Sequence, residues 1–171
     1  MNTIDQKTLL IVWHSRTGAA RQMAQAAAKG ATSIAAELQA TERFQIVSKP
    51  AVDADAADLL NADAFLFCAP ENLAALSGAM KEFFDRSYYG ALDQLNGRPY
   101  AIMISAGSDG SSAARQVERI CTGWRLHLIA PALIVNTDAQ TPEAILAPKT
   151  ITENNRTSCE TLGGTLAALL L

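Results

Sequence analysis

The chain has 171 residues, of which 49% are hydrophobic and 18% charged, and its formal net charge is −3. This length and composition predict one globular domain over residues 1–171 rather than a disordered chain. The small negative charge leaves no basic footprint for nucleic acid, and it is too small to steer a basic protein partner.

Nothing in the sequence indicates a membrane or an oxidising compartment. The first eight residues are polar and lack the charged-then-apolar order of a signal peptide. The longest apolar runs, such as residues 9–13, are far too short to span a bilayer. Cys68, Cys121 and Cys159 lack metal-binding spacing, which favours buried structural thiols in a reducing compartment. The sequence therefore predicts a cytoplasmic protein with no membrane partner and no metal site.

Short apolar runs along the chain predict five strands. Residues 9–13 form a continuous apolar run with β-branched members, as expected of a strand buried on both faces. Similar strands are predicted at residues 44–47, 64–68, 100–104 and 131–135. The third strand is expected to end at Pro70, because proline cannot continue a central hydrogen-bond ladder.

Helical patterns alternate with these strands. Met23, Ala27, Ala31, Ile34 and Leu38 recur about every four residues and predict a first helix with one apolar face. Further helices are predicted at residues 53–60, 77–88, around 117–124 and at 157–170, whereas residues 136–155 predict a long surface connection. The alternation implies right-handed crossovers and a three-layer α/β fold, with a five-stranded parallel sheet in the order 2-1-3-4-5.

Three loops rich in small and turn-forming residues follow the first, third and fourth predicted strands. Because these strands are neighbours in the predicted order, their loops share the edge of the sheet where open parallel sheets bind ligands. The candidate ligand-binding residues are Ser15, Arg16, Thr17, Gly18, Ala19 and Ala20 in the first loop, Pro70, Glu71, Asn72 and Leu73 in the second (residues 69–74), and Ala106, Gly107, Ser108 and Gly110 in the third (residues 106–112).

The first loop has the elements of an anion site. The hydroxyls of Ser15 and Thr17, a flexible Gly18 and the free N–H groups of a starting helix suit a phosphate, whose charge the helix dipole favours. Arg16 is a further candidate contact. Local sequence leaves open that Ser15 or Thr17 is an ordinary N-cap without a ligand.

Other ligand classes lack their motifs. The sequence contains no GxGxxG after the first strand, no GxxxxGK[ST], no GxSxG elbow and no cluster of metal ligands. His14 is interpreted as a rim or capping residue. Glu71 and Asp109 are interpreted as solvated loop carboxylates rather than as an acid/base pair. No residue is assigned a catalytic role.

Two segments resemble flavodoxin-like FMN proteins, in particular the NAD(P)H-dependent FMN and quinone reductases. Residues 15–20, SRTGAA, resemble the family phosphate loop T/S-x-T-G-x-T. Residues 64–86 are similar to a strand–proline–loop–helix segment whose helix carries Met-Lys-x-Phe-x-Asp, here Met80, Lys81, Phe83 and Asp85. The resemblance covers about residues 9–135. It implies a flavodoxin-like fold, FMN held by the three loops, and NAD(P)H as the electron donor for a quinone or flavin acceptor.

Two departures from the family pattern predict weaker flavin binding than in a strongly acidic shuttle flavodoxin. Ala20 stands where the family places the last hydroxyl of the phosphate loop, and the second and third loops contain no Trp or Tyr to stack on the ring. The alternatives to a reductase are a flavodoxin that transfers electrons without NAD(P)H activity and a flavin-free interaction module. The sequence leaves the small-molecule acceptor, the preference for NADH or NADPH, and homo-oligomerisation open.

Overall fold

The central sheet follows the apolar runs of the sequence. The computed structural model describes residues 6–171. In chain order the strands are β1 (Lys7–Trp13), β2 (Phe44–Pro50), β3 (Ala64–Asn72), β4 (Ala75–Leu76), β5 (Pro99–Ala106), β6 (His127–Leu128) and β7 (Leu133–Asn136). β2, β1, β3 and β5 lie side by side in parallel, and β6 and β7 both pair in parallel with β5. The predicted order 2-1-3-4-5 is therefore confirmed, with β6 and β7 together forming the fifth strand.

Helices cover both faces of this sheet. They are α1 (Ala19–Glu37), α2 (Ala56–Leu60), α3 (Gly78–Ala91), α4 (Ser111–Gly123), α5 (Pro142–Leu146) and α6 (Glu153–Leu170), with a 3-10 turn at Thr41–Arg43. One buried apolar cluster joins the sheet to α3 and α4, and a second joins the opposite face to α1 and α6. The predicted three-layer architecture is confirmed, and all three cysteines are buried as expected.

The first and last helices pack closely because both present glycine at their crossing. A Cβ atom on Gly30 would overlap the carbonyl group of Glu160, and one on Gly163 would overlap that of Ala27. Only glycine permits this backbone approach. The contact fixes α1 against α6, and with it the helix end that meets the first loop.

β3 runs further than the sequence predicted. It continues through Pro70, which lies in register with Ser105 of β5, to Asn72. β1 ends opposite Cys68, so Pro70 has no partner on β1, and its carbonyl oxygen accepts from the N–H of Ser77 instead. The missing N–H of proline therefore removes no ladder bond to β1, and the expectation that the strand ends at Pro70 was wrong.

The second loop is the tip of a β-hairpin rather than an irregular segment. β4 pairs antiparallel with the end of β3, matching Glu71 with Leu76 and Asn72 with Ala75. The two residues between the strands, Leu73 and Ala74, have φ angles of +50° and +59°. Consecutive positive φ angles give a type I′ turn, whose twist suits a two-residue hairpin. We call residues 70–76 the β3–β4 hairpin.

The carboxy-terminal third differs most from the prediction. β7 begins at Leu133, whereas the predicted fifth strand began at Pro131, and β6 was not predicted. The expected surface connection contains α5, whose N-cap Thr141 is followed by Pro142, and α6 begins at Glu153 rather than at residue 157. Thr at the N-cap with Pro at the first helical position is a helix-start signal.

No helix within residues 6–171 combines the length and apolarity needed to cross a membrane. Residues 1–5, which form most of the amino-terminal stretch used to argue against a signal peptide, lie outside the described residues. The cytoplasmic location stays a prediction.

Candidate functional site

The three predicted loops meet at one edge of the sheet. β1, β3 and β5 are adjacent and parallel, and the three predicted loops lie at their carboxyl ends. Their carboxyl ends therefore lie together, as the strand order predicted. This edge is where open parallel sheets place their ligands.

The first loop leaves the N-terminus of α1 without a cap from the protein. Gly18, the N-cap residue, has a φ angle of +102° and no side chain with which to cap the helix. Its N–H donates to the Ser15 hydroxyl oxygen at 3.1 Å. The next three N–H groups, of Ala19, Ala20 and Arg21, have no acceptor within residues 6–171. These are unsatisfied donors at the positive end of a 19-residue helix.

A cavity of about 440 Å³ opens at this helix end. Its lining residues are Trp13, Ser15, Arg16, Thr17, Gly18, Arg21, Leu146 and Pro148. Arg16 and Arg21 are both exposed, neither has an ion-pair partner in the described part of the chain, and no carboxylate lines the cavity. The cavity is therefore locally cationic in a chain of net charge −3. Its size and charge suit an anionic small molecule.

One wall of the cavity comes from the segment after α5 and is fixed to the first loop. The backbone N–H of Lys149 donates to the carbonyl oxygen of Thr17 at 2.8 Å. The Gln22 side-chain amide donates to the carbonyl oxygens of Lys149 at 2.7 Å and of Gly18 at 3.0 Å, and its oxygen accepts from the N–H of Ile151 at 3.3 Å. These bonds hold the apolar side of the cavity, contributed by residues 146 and 148, against the loop.

The Glu71 carboxylate lies at the N-terminus of α4. One of its oxygens accepts from the N–H of Gly110 at 3.0 Å and the other from the N–H of Ala113 at 3.2 Å. The interpretation of Glu71 as a solvated loop carboxylate was therefore wrong, because its charge is bonded to a helix end where the dipole favours it. Asp109 is exposed, as expected, and accepts from the Ser111 hydroxyl at 2.7 Å.

Two further bonds hold the β3–β4 hairpin. The N–H of Leu76 donates to the side-chain oxygen of Gln116 on α4 at 2.8 Å. His14, after β1, lies with Nδ1 2.9 Å from the hydroxyl of the fully buried Ser77. Burial, and secondarily the charge of Arg16, lower the pKa of His14 below its ordinary value. His14 therefore joins the end of β1 to the start of α3, and its interpretation as a rim or capping residue stays a prediction.

The third loop is covered on one side by the segment after β7. The N–H of Ala139 donates to the carbonyl oxygen of Gly107 at 3.0 Å, and the Asn136 side chain donates to the carbonyl oxygen of Ser108 at 2.6 Å. A Cβ atom on Gly107 would lie 2.9 Å from the carbonyl oxygen of Ala139, so a larger residue would force the two segments apart. Ala106 and Gly110 are buried in this arrangement.

The structure separates the predicted ligand residues into two groups. Ser15, Arg16, Thr17 and Gly18 line the cavity. The side chains of Ala19 and Ala20 are buried, so these residues offer only backbone donors. The residues of the second and third loops lie on the same edge of the sheet but do not line this cavity.

Sequence reasoning missed half of the cavity lining. Arg21 was detectable, because the third residue of a helix reaches the same anion as the first-turn N–H groups. Trp13 was assigned only to the end of a strand. Leu146 and Pro148 lie more than a hundred positions after the first loop in the sequence, and no local pattern places them beside it.

Comparison with known proteins identifies both a family and a fold. The family model of NADPH-dependent FMN reductases matches residues 9–140. A flavodoxin from the domain Archaea superposes with a TM-score of 0.72 at 18% identity, covering 95% of this chain and 98% of that one. A WrbA-like flavodoxin from Agrobacterium tumefaciens gives 0.69 at 16% identity, covering 96% and 98%. An oxidoreductase from Corynebacterium diphtheriae gives 0.72 at 18%, covering 97% of each chain. These likenesses show the flavodoxin-like fold, and no curated protein matches the sequence.

Proposed function

The chain belongs to the NADPH-dependent FMN reductase family, and we propose that it binds FMN and uses NAD(P)H to reduce a quinone or another small-molecule acceptor. The observation that carries the proposal is the open N-terminus of α1. Within residues 6–171, three backbone donors at this helix end have no partner, and the cavity beside them is lined by two arginines without ion-pair partners and by no carboxylate. A phosphate monoester supplies the anion that this arrangement lacks.

The residues of the first loop fit the phosphate of FMN. The backbone N–H groups of residues 19–21 and the hydroxyls of Ser15 and Thr17 would donate to its oxygens, and Arg16 and Arg21 would balance its charge. Ala20 removes one hydroxyl from the family pattern, and Arg21 provides a donor beside it. Both arginines are exposed, so each contributes about 0.2–1 kcal/mol rather than the larger value of a buried pair.

The ring of the flavin is proposed to lie towards the second and third loops. The second loop contributes Pro70, Asn72 and Leu73. The third loop contributes Ala106, Gly107, Ser108 and Gly110. Leu73 is fully exposed at the hairpin tip and offers an apolar contact. Because neither loop supplies a Trp or Tyr, the ring face is less enclosed and leaves room for a nicotinamide at hydride-transfer distance, about 3–3.5 Å.

FMN supplies the redox chemistry when it is bound, and the protein supplies binding and orientation. The first loop anchors the phosphate, the bonded segment after α5 closes one side of the cavity, and the hairpin and third loop shape the remaining edge. No acid or base residue is required for hydride transfer to a flavin, and none is assigned. A small-molecule acceptor and a cytoplasmic location are part of this proposal.

An absorbance spectrum of the purified protein with and without added FMN tests the binding step. Calorimetry should give an affinity for FMN about tenfold or more above that for riboflavin, which lacks the phosphate. Inorganic phosphate should compete with FMN and not with residual riboflavin binding. Equal affinities for the two flavins would remove the first loop from the site.

Anaerobic mixing of the FMN-loaded protein with NADPH or NADH tests the reductase step. Bleaching of the flavin by either nucleotide supports the proposed activity. Tight FMN retention without bleaching would instead indicate an electron-transfer flavodoxin, and failure to bind FMN at any concentration would indicate an interaction module.

A further inference from the structure

The Glu71 carboxylate joins two of the three loops that the proposed function assigns to FMN. Glu71 lies on the β3–β4 hairpin, and the two N–H groups it accepts from belong to Gly110 and Ala113, 39 and 42 positions further along the chain. The hairpin and the third loop are otherwise parts of different strand–helix units. In addition to the pairing of β3 with β5, this side chain therefore bonds the hairpin directly to the third loop.

Helix capping alone does not explain this arrangement. α2, α5 and α6 are each capped by their own N-cap residue, Asp55, Thr141 and Thr152 respectively. α4 begins instead at Gly110, whose φ angle is +86° and which has no side chain to cap with. A cap from a distant loop satisfies the same donors as a local one, and it also connects two segments that a local cap would leave independent.

Glu71 and Leu76 lie opposite each other in the hairpin, and both are bonded to α4. Of the side-chain hydrogen bonds of the described residues, only the one between Glu71 and the N–H of Gly110 joins the hairpin to the third loop. Gln116 bonds the N–H of Leu76 at the far strand, and His14 bonds Ser77 beyond it. The tip itself, Leu73–Ala74, is exposed and in the left-handed conformation, which non-glycine residues adopt at a cost of about 1–2 kcal/mol each.

We propose that Glu71 is a positioning residue, which fixes the separation of the second and third loops and so shapes the edge that receives the flavin ring. The inference rests on the proposed function for the identity of the ligand. Glu71 acts through the backbone of the third loop rather than by touching FMN. Its carboxylate oxygens are already bonded to α4.

Three variants test this role. Glu71→Ala removes both bonds, and Glu71→Gln keeps one acceptor oxygen. Asp109→Asn makes the same charge change on a third-loop carboxylate that is bonded only locally, to Ser111 at the start of α4, and is not among the proposed flavin contacts. Glu71→Ala should weaken FMN binding about tenfold or more and alter the visible circular dichroism of the bound flavin. Glu71→Gln should fall between it and the wild type, and Asp109→Asn should stay within about twofold.

A purely structural cap predicts a different result. Wild-type FMN affinity and an unchanged flavin dichroism in Glu71→Ala would overturn the proposal, even if its melting temperature falls. If Glu71→Ala does not fold, the FMN affinity of Glu71→Gln is compared with that of Asp109→Asn instead. Equal FMN affinities in these two variants would overturn the proposal.

Hydrogen exchange on the ligand-free protein separates this proposal from the proposed function. The amides of Gly110, Ala113 and the hairpin should exchange faster in Glu71→Ala or Glu71→Gln than in Asp109→Asn. If the wild type fails to bind FMN, the proposed function falls, and unchanged exchange at these amides would then overturn the positioning role as well.

Discussion

α1 and α4 begin in the same way and differ in what meets their first turn. Each follows the carboxyl end of a central strand, and each has a glycine N-cap in the left-handed region, Gly18 at φ +102° and Gly110 at φ +86°. At α4 the Glu71 carboxylate accepts two of the free donors. At α1 the Ser15 hydroxyl accepts from the N–H of Gly18, but no described group accepts from the N–H groups of residues 19–21, and a cationic cavity opens at this helix end.

The difference shows that the backbone of a strand–glycine–helix unit does not decide whether it binds a ligand. Both helix ends favour a negative charge, by about 0.3–1 kcal/mol at an exposed site. A neighbouring hairpin supplies that charge at α4, so this end is satisfied within the fold. The end of α1 is left for an external anion, which would then stabilise the folded state in proportion to its concentration and affinity.

Replacing each N-cap glycine with alanine should produce the largest difference between the two helix ends, measured as the free energy of unfolding. In Gly110→Ala the new Cβ would lie 2.7 Å from Cγ2 of Ile134 and 3.1 Å from Cβ of Ala106, in addition to the unfavourable φ angle. We expect a loss of about 3 kcal/mol in the free energy of unfolding. In Gly18→Ala the nearest atom, of Gln22, is 3.5 Å away, so only the φ cost of about 1–2 kcal/mol applies. Urea unfolding measures both, and equal losses would contradict the comparison.

Thr17→Asp should weaken FMN binding by about 1–3 kcal/mol, because the added carboxylate would face the ligand phosphate in a partly desolvated loop. Folding should be affected less, since an acidic residue just before α1 is favoured by the helix dipole. Thr161→Asp, which makes the same charge change on the exposed face of α6, is the control. Calorimetric titration of both variants decides the matter, and an unchanged affinity in Thr17→Asp would exclude the first loop from the phosphate site.

Arg21→Gln should have a smaller effect and should depend on salt. Removing an exposed cation from the cavity is expected to reduce FMN affinity by about 0.2–1 kcal/mol at low ionic strength and less at high. Arg115→Gln changes an exposed arginine of α4, where Glu71 already supplies the anion, and should leave FMN binding unchanged. Riboflavin binding should be indifferent to both changes. A loss for riboflavin equal to that for FMN would show that Arg21 does not act on the phosphate.

Much of the fold was predictable because buried parallel strands leave a strong local signal. The continuous apolar run at residues 9–13 and the similar run at residues 64–68 are sufficient to place β1 and β3 in the centre of the sheet. β6 and α5 are too short for such a signal, at two and five residues. The prediction that β3 ends at Pro70 was wrong because proline is excluded only where a neighbouring strand needs its N–H group. At Pro70 the neighbouring strand β1 has already ended.

The site was predictable only where its residues are consecutive. The first loop is one stretch of sequence, so its hydroxyls, glycine and helix end could be read together. The partners of Glu71 could not be predicted in this way. The local sequence around a glutamate is the same whether its carboxylate is hydrated by water or bonded to a distant helix. The wall at Leu146 and Pro148 depends on the bonds from Lys149 and Gln22, which bring together segments far apart in the chain.

The smallest expected effect is on the pH dependence of stability through His14. Burial, followed by the charge of Arg16, lowers the pKa of His14 from its ordinary value of 6.5. The unfolded chain therefore takes up the proton at a higher pH than the folded one, so the free energy of unfolding should fall as pH drops below 6.5 until the folded pKa is passed. Above about pH 7 this contribution is constant. His14→Gln, which retains a partner for Ser77, should remove the slope.

The same residue reports on the anion site of α1. A phosphate bound beside Arg16 would offset the repulsion between that guanidinium group and a protonated His14, so FMN or inorganic phosphate should raise the pKa of His14. NMR titration of the imidazole with and without ligand measures this shift, with Arg16→Gln as the matched variant. In that variant the pKa of His14 should be higher before ligand is added, and the ligand should shift it less than in the wild type. If ligand leaves the titration of His14 unchanged in the wild type, the anion does not bind beside Arg16. The open end of α1 would then be no better an anion site than the closed end of α4.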